Sequence, residues 1–304
     1  MANLTVEVCG LTFRNPVLPA AGPNVRDGRM LEETMRGGAG GLLSKTISVD
    51  AAPVPMPHMA EVKGGFLNTE LWSEMPPERW LLREYDIARR AADEAGVPLI
   101  ISMGYTGQEI AQLAPKIRPW ADAVELSTHY LGEDATPMIE AIDAAKSALD
   151  VPVFVKMSPL GREMQAAAQA AKAAGADAIV ATNSFGPAFG LDVETGYPLL
   201  GGANGYGWLS GPAIKPLALR CVFDIAQAVD LPIFGVGGIS RGEDAIEFIM
   251  AGASAVQVCT AAIMRGPSVY GKIAAQIGDW LDQHGYASLD DIRGLAVKKI
   301  AARV

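Results

Sequence analysis

Leu231-Pro-Ile-Phe-Gly-Val-Gly-Gly-Ile-Ser240 and Ala251-Gly-Ala-Ser-Ala-Val-Gln-Val-Cys-Thr260 decide how this chain reads. Each holds a short apolar run, Pro232 to Val236 and Ala255 to Val258, that stops at small residues. Gly237 and Gly238 close the first run; Cys259 and Thr260 close the second. The intervening Gly242-Glu-Asp-Ala-Ile-Glu-Phe-Ile-Met-Ala251 has a helical pattern. Small residues leave backbone N–H groups open to close approach, and a helix N-terminus favours an anion. Two such strand ends in succession mark a phosphate site of the kind built after the last two strands of a (β/α)8 barrel.

The same unit recurs upstream: an Ala-rich helix, a Pro or small-residue turn, then a short apolar strand ending in polar residues or glycine. Asn15-Pro-Val-Leu-Pro19 and Gly41-Leu-Leu-Ser-Lys45 are the first two strands, followed by Gly96-Val-Pro-Leu-Ile-Ile-Ser-Met103 and Asp122-Ala-Val-Glu-Leu-Ser127. Asp150-Val-Pro-Val-Phe-Val-Lys156 and Asp177-Ala-Ile-Val-Ala-Thr182 are the fifth and sixth, and the phosphate-loop strands complete eight. Near-continuous apolar strands alternating with helices imply a parallel sheet covered by helices. Eight of them in 304 residues predict an α/β TIM barrel, a single domain over 1–304 with no linker. Two stretches break the rhythm. Val49 to Trp80, with five prolines, and the Gly-rich Phe185 to Pro212 are expected to lie over the C-terminal face of the barrel, where barrel enzymes place their sites.

Composition narrows the function. Half the residues are hydrophobic and 19% charged, which supplies a large core. A net charge of −9 and a pI near 4.9 argue against nucleic acid and anionic membranes as partners. No apolar run reaches the length of a membrane span, and the N-terminus lacks the basic and apolar regions of a signal peptide. Cys9, Cys221 and Cys259 have neither disulfide nor zinc spacing, so no metal is expected and a cytoplasmic location is.

The chemistry-bearing residues sit at strand ends. Lys45 and Lys156 close buried strands, where an unpaired ammonium is costly, so each is a candidate to hold an anion or an electron-rich ring. A lysine there also has the option of snorkelling to solvent. Asn183, followed by Ser184, ends the sixth strand, and Asn68 lies in the first mouth loop; their amides offer a donor and an acceptor to a planar ligand, or serve turns. After the fourth strand, Glu125, Thr128, His129 and Tyr130 are all groups that hold or move protons. His58 lies in the mouth loop and His284 in the C-terminal tail.

Asn15-Pro-Val-Leu-Pro-Ala-Ala-Gly22, Val153-Phe-Val-Lys-Met-Ser-Pro159, Leu209-Ser-Gly-Pro-Ala-Ile-Lys-Pro216 and the closing phosphate segment resemble the soluble class of flavin-dependent dihydroorotate dehydrogenases over almost the whole chain. The resemblance implies FMN across the barrel top, its phosphate on Gly237, Gly238, Cys259 and Thr260. It implies further cofactor contacts from Ala21, Lys45, Thr46, Ser102, Glu125, Lys156, Thr182 and Gly211. Lys156 would face the N1/O2 edge of the ring, where positive charge stabilises the reduced form. The family also implies a homodimer, or a complex with an iron–sulfur flavoprotein electron-transfer subunit.

The substrate end departs from that family. Its fourth strand normally ends Asn-x-Ser-Cys-Pro-Asn, with the Cys or Ser removing a substrate proton; the matching positions here are Glu125, Thr128, His129 and Tyr130. Asn68-Thr-Glu-Leu-Trp72 stands where the family has Asn, two small or apolar residues, Gly and Leu. Asn68, Glu70, Trp72, Glu125, Tyr130, Asn183 and Ser184 are therefore the expected substrate contacts. Thr128, His129 and Lys45 are the expected catalytic groups, with either Thr128 or His129 as proton carrier. A site built for one donor and acceptor pattern rejects another. The expectation is hydride transfer between flavin N5 and a small cyclic or conjugated compound other than dihydroorotate. A phosphate-binding isomerase, synthase or aldolase without flavin, with Lys156 as Schiff-base residue, is the alternative; a non-catalytic flavin-binding barrel is another.

Overall fold

The computed structural model describes residues 2–128 and 134–303. Eight strands form the barrel: β1 (Val17–Pro19), β2 (Leu42–Leu43), β3 (Leu99–Met103), β4 (Ala123–Ser127), β5 (Val153–Met157), β6 (Ala178–Ala181), β7 (Ile233–Val236) and β8 (Ala255–Val258). All pair in parallel, in the spatial order β1-β8-β7-β6-β5-β4-β3-β2. Sequence neighbours are thus spatial neighbours, and β8 pairs with β1 through Val256 opposite Val17. Between β1 and β2 the ring is joined by the Gly40 N–H, which donates to Val17 O at 2.8 Å. A Cβ at Gly40 would lie 1.9 Å from Asn15 O, so only glycine lets the two chains come this close. All eight expected strands are present, seven within their expected segments and the fifth running one residue beyond Lys156, to Met157.

Every residue of β3, β4 and β5 is buried, because one face meets the barrel interior and the other the helices. The helix Gly107–Ile117 shows how the outer layer is written. It buries Ile110, Leu113, Ala114 and Ile117, spaced three and four apart, and starts with a capping box between Thr106 and Glu109. Phe13, fully buried just before β1, meets Phe234 edge-on at 6.0 Å, and Phe234 lies 5.0 Å from Phe154. These rings fill the N-terminal end of the barrel, together with the hairpin Val6–Val8 and Leu11–Phe13. The C-terminal end is left for other groups.

The two stretches that break the rhythm build one antiparallel sheet of four strands, in the order Phe185–Ala188, Gly207–Ser210, Gly65–Asn68, Met59–Val62. Loops that follow β2 and β6 are joined through Trp208 opposite Asn68 and Leu209 opposite Leu67. The mouth cover is thus a paired structure whose backbone groups satisfy one another.

Candidate active site

A cavity of about 590 Å³ opens at the C-terminal ends of the strands beneath this small sheet. That volume is in the range of small-molecule and cofactor sites. It has two chemically different ends over a polar floor.

At one end the wall is made by Gly211, Gly237, Gly238, Cys259 and Thr260, the segments read as a phosphate site. Gly237 and Gly238 have φ of +132° and +75°, and a Cβ on Gly238 would lie 2.9 Å from Gly211 O. Glycine is therefore required to press the β7 loop against the Gly211 turn. The hydroxyls of Thr260 and Ser210, 2.9 Å apart, both belong to the wall. Burial pushes the Cys259 thiol up to about 11, against the lowering pull of Lys156 and Lys45. Cys259 is thus a neutral thiol at neutral pH, donating to Asn24 Oδ1 at 3.0 Å and adding no negative charge to this wall. Asp244 anchors the loop that follows, accepting from Ser240 N at 2.9 Å and from Lys215 Nζ at 2.8 Å. Burial works against Lys215's charge, but Asp244 and Glu247 outweigh it and hold its pKa above the usual lysine range.

The floor crosses the barrel. Glu125 of β4 is wholly buried, with Oε1 3.6 Å from Lys156 Nζ of β5 and Oε2 accepting at 2.6 Å from Gln257 Nε2 of β8, the strand diametrically opposite β4. Strand alternation explains this placement. Glu125 and Ser127 share one face of β4, but Ser127 is at the strand end and lines the cavity, whereas Glu125 lies one layer deeper. Lys156 and Gln257 do line it. Among the described residues Gln257 Oε1 is buried without a hydrogen-bond partner, an acceptor facing a site that offers it none.

At the other end stand Lys45, Asn68, Glu70, Trp72, Asn183 and Ser184. Lys45, 2% exposed, pairs with Glu70 Oε2, while Glu70 Oε1 lies 3.3 Å from His58 Nε2. Asn68 Nδ2 donates to Trp208 O at 3.2 Å, tying one loop to the other. Trp72 meets Tyr105 edge-on at 5.1 Å and donates to Asp50 O at 2.7 Å. Asn183 Oδ1 accepts from Ser184 N at 2.9 Å.

Ala21, Thr46 and Thr182 also line the cavity, so most of the sequence-read residues converge on it. Three do not. Ser102 is buried beneath the wall, its hydroxyl bonded to Thr46 Oγ1 at 2.8 Å. Glu125 is the floor's counter-charge, shielded by Lys156 and Gln257 from direct contact with a ligand. The Thr128 side chain is buried off the cavity, its hydroxyl without a partner among the described residues. His129 and Tyr130 lie outside the described residues. The sequence reading missed Gln257, hidden as one polar residue inside an apolar strand. It also gave no site role to Ser127, Ser210 and Tyr105, or to His58, whose imidazole reaches Glu70 only once the mouth loop has folded. The expectation of no metal overlooked that His58, Glu70 and Glu74 bring ligand atoms within 4.8 Å of one another. The Lys45 ammonium already supplies Glu70 with positive charge.

A closed barrel with a cavity at its C-terminal mouth, two buried lysines and a polar floor is the architecture of a barrel enzyme. The family model for dihydroorotate dehydrogenase matches residues 3–281. The catalytic subunit of dihydroorotate dehydrogenase B (NAD(+)) from Methanothermobacter thermautotrophicus is 37% identical over 305 residues, covering 96% of this chain and 98% of its own. The subunit of the same name from Pyrococcus abyssi is 35% identical over 97% of this chain and 99% of its own, and that from Methanosarcina mazei 38% identical over 96% and 95%. The chain belongs to the dihydroorotate dehydrogenase family and is an oxidoreductase of the type acting on CH–CH bonds. That family consists of flavoproteins, which displaces the reading as a flavin-free isomerase, synthase or aldolase. Among the described residues, no helix is long and apolar enough to cross a membrane.

Proposed function

We propose that this chain, as one domain over residues 1–304, is a cytoplasmic FMN-dependent oxidoreductase acting on a small cyclic or conjugated compound other than dihydroorotate. The observation that carries the reading is the cavity itself: an intact cofactor end joined to a rebuilt substrate end. The cofactor residues fit the group. Gly211, Gly237, Gly238, Cys259 and Thr260 would hold a phosphate, and Lys156 and the unpartnered Gln257 Oε1 suit a planar ring that carries both carbonyl and N–H groups. FMN, when bound, supplies hydride acceptance and donation at N5.

The chain's own residues do the rest. Lys156 presents positive charge from the floor, and Glu125, which accepts from Gln257, fixes its position from below the cavity. Asn68 and Asn183 orient a ring by hydrogen bonds, while Trp72 and the paired mouth loops exclude water. The proton carrier belongs to the segment after β4, with Thr128 and His129 as the candidates. Turnover at this site requires electrons to leave or enter. The relatives' names describe catalytic subunits, which supports association with an electron-transfer subunit, an iron–sulfur flavoprotein in the arrangement we favour. We propose a homodimer as the core of that assembly. The exposed Phe189, Leu191, Val193 and Tyr197 on the mouth loop offer apolar area for subunit contact.

Anaerobic mixing of the FMN-loaded protein with dihydroorotate tests the substrate assignment. The flavin absorbance is expected to persist, whereas full bleaching within one catalytic cycle would return the protein to dihydroorotate oxidation.

A further inference from the structure

We infer that Glu70 makes the substrate site selective for an uncharged ring and closes it to carboxylates; this rests on the proposed function above. Lys45 is the cation of that end of the cavity, and it is committed. Its ammonium, 2% exposed, pairs with Glu70, itself only 10% exposed. Both residues line the cavity beside Asn68 and Trp72. The second buried cation, Lys156, has Glu125 beneath it. Arg265, the other cation of the wall, is exposed at the opposite end and donates to Ser240 O at 2.7 Å.

The charge balance decides what the site accepts. A carboxylate that approached Lys45 would meet Glu70 as a like charge among largely buried side chains, where repulsion is screened less than in bulk water. Displacing Glu70 from Lys45 would strand a buried carboxylate, which is more costly than leaving the pair intact. His58 Nε2, one-fifth exposed, lies 3.3 Å from Glu70 Oε1 on the other side of the carboxylate. An uncharged ring disturbs none of this. It gains the aromatic edge of Trp72 and the amides of Asn68 and Asn183 without breaking the pair. Dihydroorotate carries a carboxylate, so the same feature accounts for its rejection. Glu70 is thus a specificity-determining residue, and its effect is on binding rather than on the chemical step.

The test is equilibrium binding, by calorimetry, of two rings that differ only in the carboxylate, orotate and uracil. FMN uptake is measured first for each protein. The wild type is expected to bind uracil at least about tenfold more tightly than orotate, and Glu70→Gln to shift that ratio towards orotate by about tenfold or more, because the freed Lys45 then offers a charge-assisted bond. Glu70→Ala is the second variant, expected to shift the ratio in the same direction. Wild-type preference for orotate, or Glu70 variants that gain no orotate affinity, would overturn the inference. If neither variant takes up FMN, the wild-type ratio decides alone, and a ratio below tenfold counts against it. A wild type that takes up no FMN would instead sink the functional reading, so the two failures are distinct.

Discussion

Glu125→Gln removes one charge from the floor while preserving shape, and the structure sets the size of the effect. The carboxylate lies 3.6 Å from the Lys156 ammonium and is wholly buried. At an effective dielectric near 20 the Coulomb attraction at that distance is on the order of 5 kcal/mol. The glutamine still accepts from Gln257, and Lys156, 7% exposed, recovers part of its hydration. The expected loss of stability is therefore about 3 kcal/mol, within what breaking a buried pair costs. For a chain of this size that lowers the melting midpoint by roughly 6 °C. Urea unfolding of the wild type, Glu125→Gln, Lys156→Met and the double variant, without added FMN, isolates the pair from ligand linkage. The coupling energy is expected to be about 2 kcal/mol or more. A single-variant loss under about 1 kcal/mol with no coupling would refute the paired, ionised floor.

Three further outcomes follow from the same geometry. Gly238→Val places a Cβ 2.8 Å from Lys215 Cβ and 2.9 Å from Gly211 O at a φ of +75°; FMN titration is expected to show affinity reduced more than about tenfold, and an unchanged constant would remove this loop from the phosphate site. Burial works against the charge of Asp244, but Lys215 and Ser240 outweigh it and hold its pKa below the usual carboxylate range. Its contribution is therefore present above the ordinary carboxylate pKa and lost as pH falls through the lowered one. Asp244→Asn should cost about 1–3 kcal/mol at neutral pH, with the two unfolding curves converging in acid, and a gap that stays constant would contradict the assignment. Trp72→Ala removes the 5.1 Å contact with Tyr105 and the bond to Asp50 O. Binding of a cyclic ligand should weaken by about fivefold or more while FMN affinity holds, as read by calorimetry.

The barrel was legible because a strand buried on both faces must be apolar along its length, and such runs stand out between Ala-rich helices. Strand ends were legible for a related reason: Lys45, Lys156 and Gly237 interrupt apolar runs where interior gives way to mouth. The small sheet over the mouth was not, because its pairing joins Asn68 to Trp208 across distant parts of the chain. Local pattern holds no record of such a pair. The side-chain alternation that sends Glu125 below the cavity and Ser127 into it depends on one residue of register, which the apolar pattern of β4 alone leaves open. Gln257 was concealed by its neighbours, Val256 and Val258. The grouping of His58, Glu70 and Lys45 unites a loop with a strand end and becomes visible only in the folded chain. The expected roles of His129 and Tyr130 concern residues outside those described.

On this reading the barrel holds FMN at the β7 and β8 loops. Quantifying the chromophore released from the purified, FMN-reconstituted protein tests it most directly. FMN is expected in a one-to-one ratio with the chain, and that ratio is expected to be lost in Gly238→Val. A colourless protein that takes up no FMN at any concentration tried would contradict it.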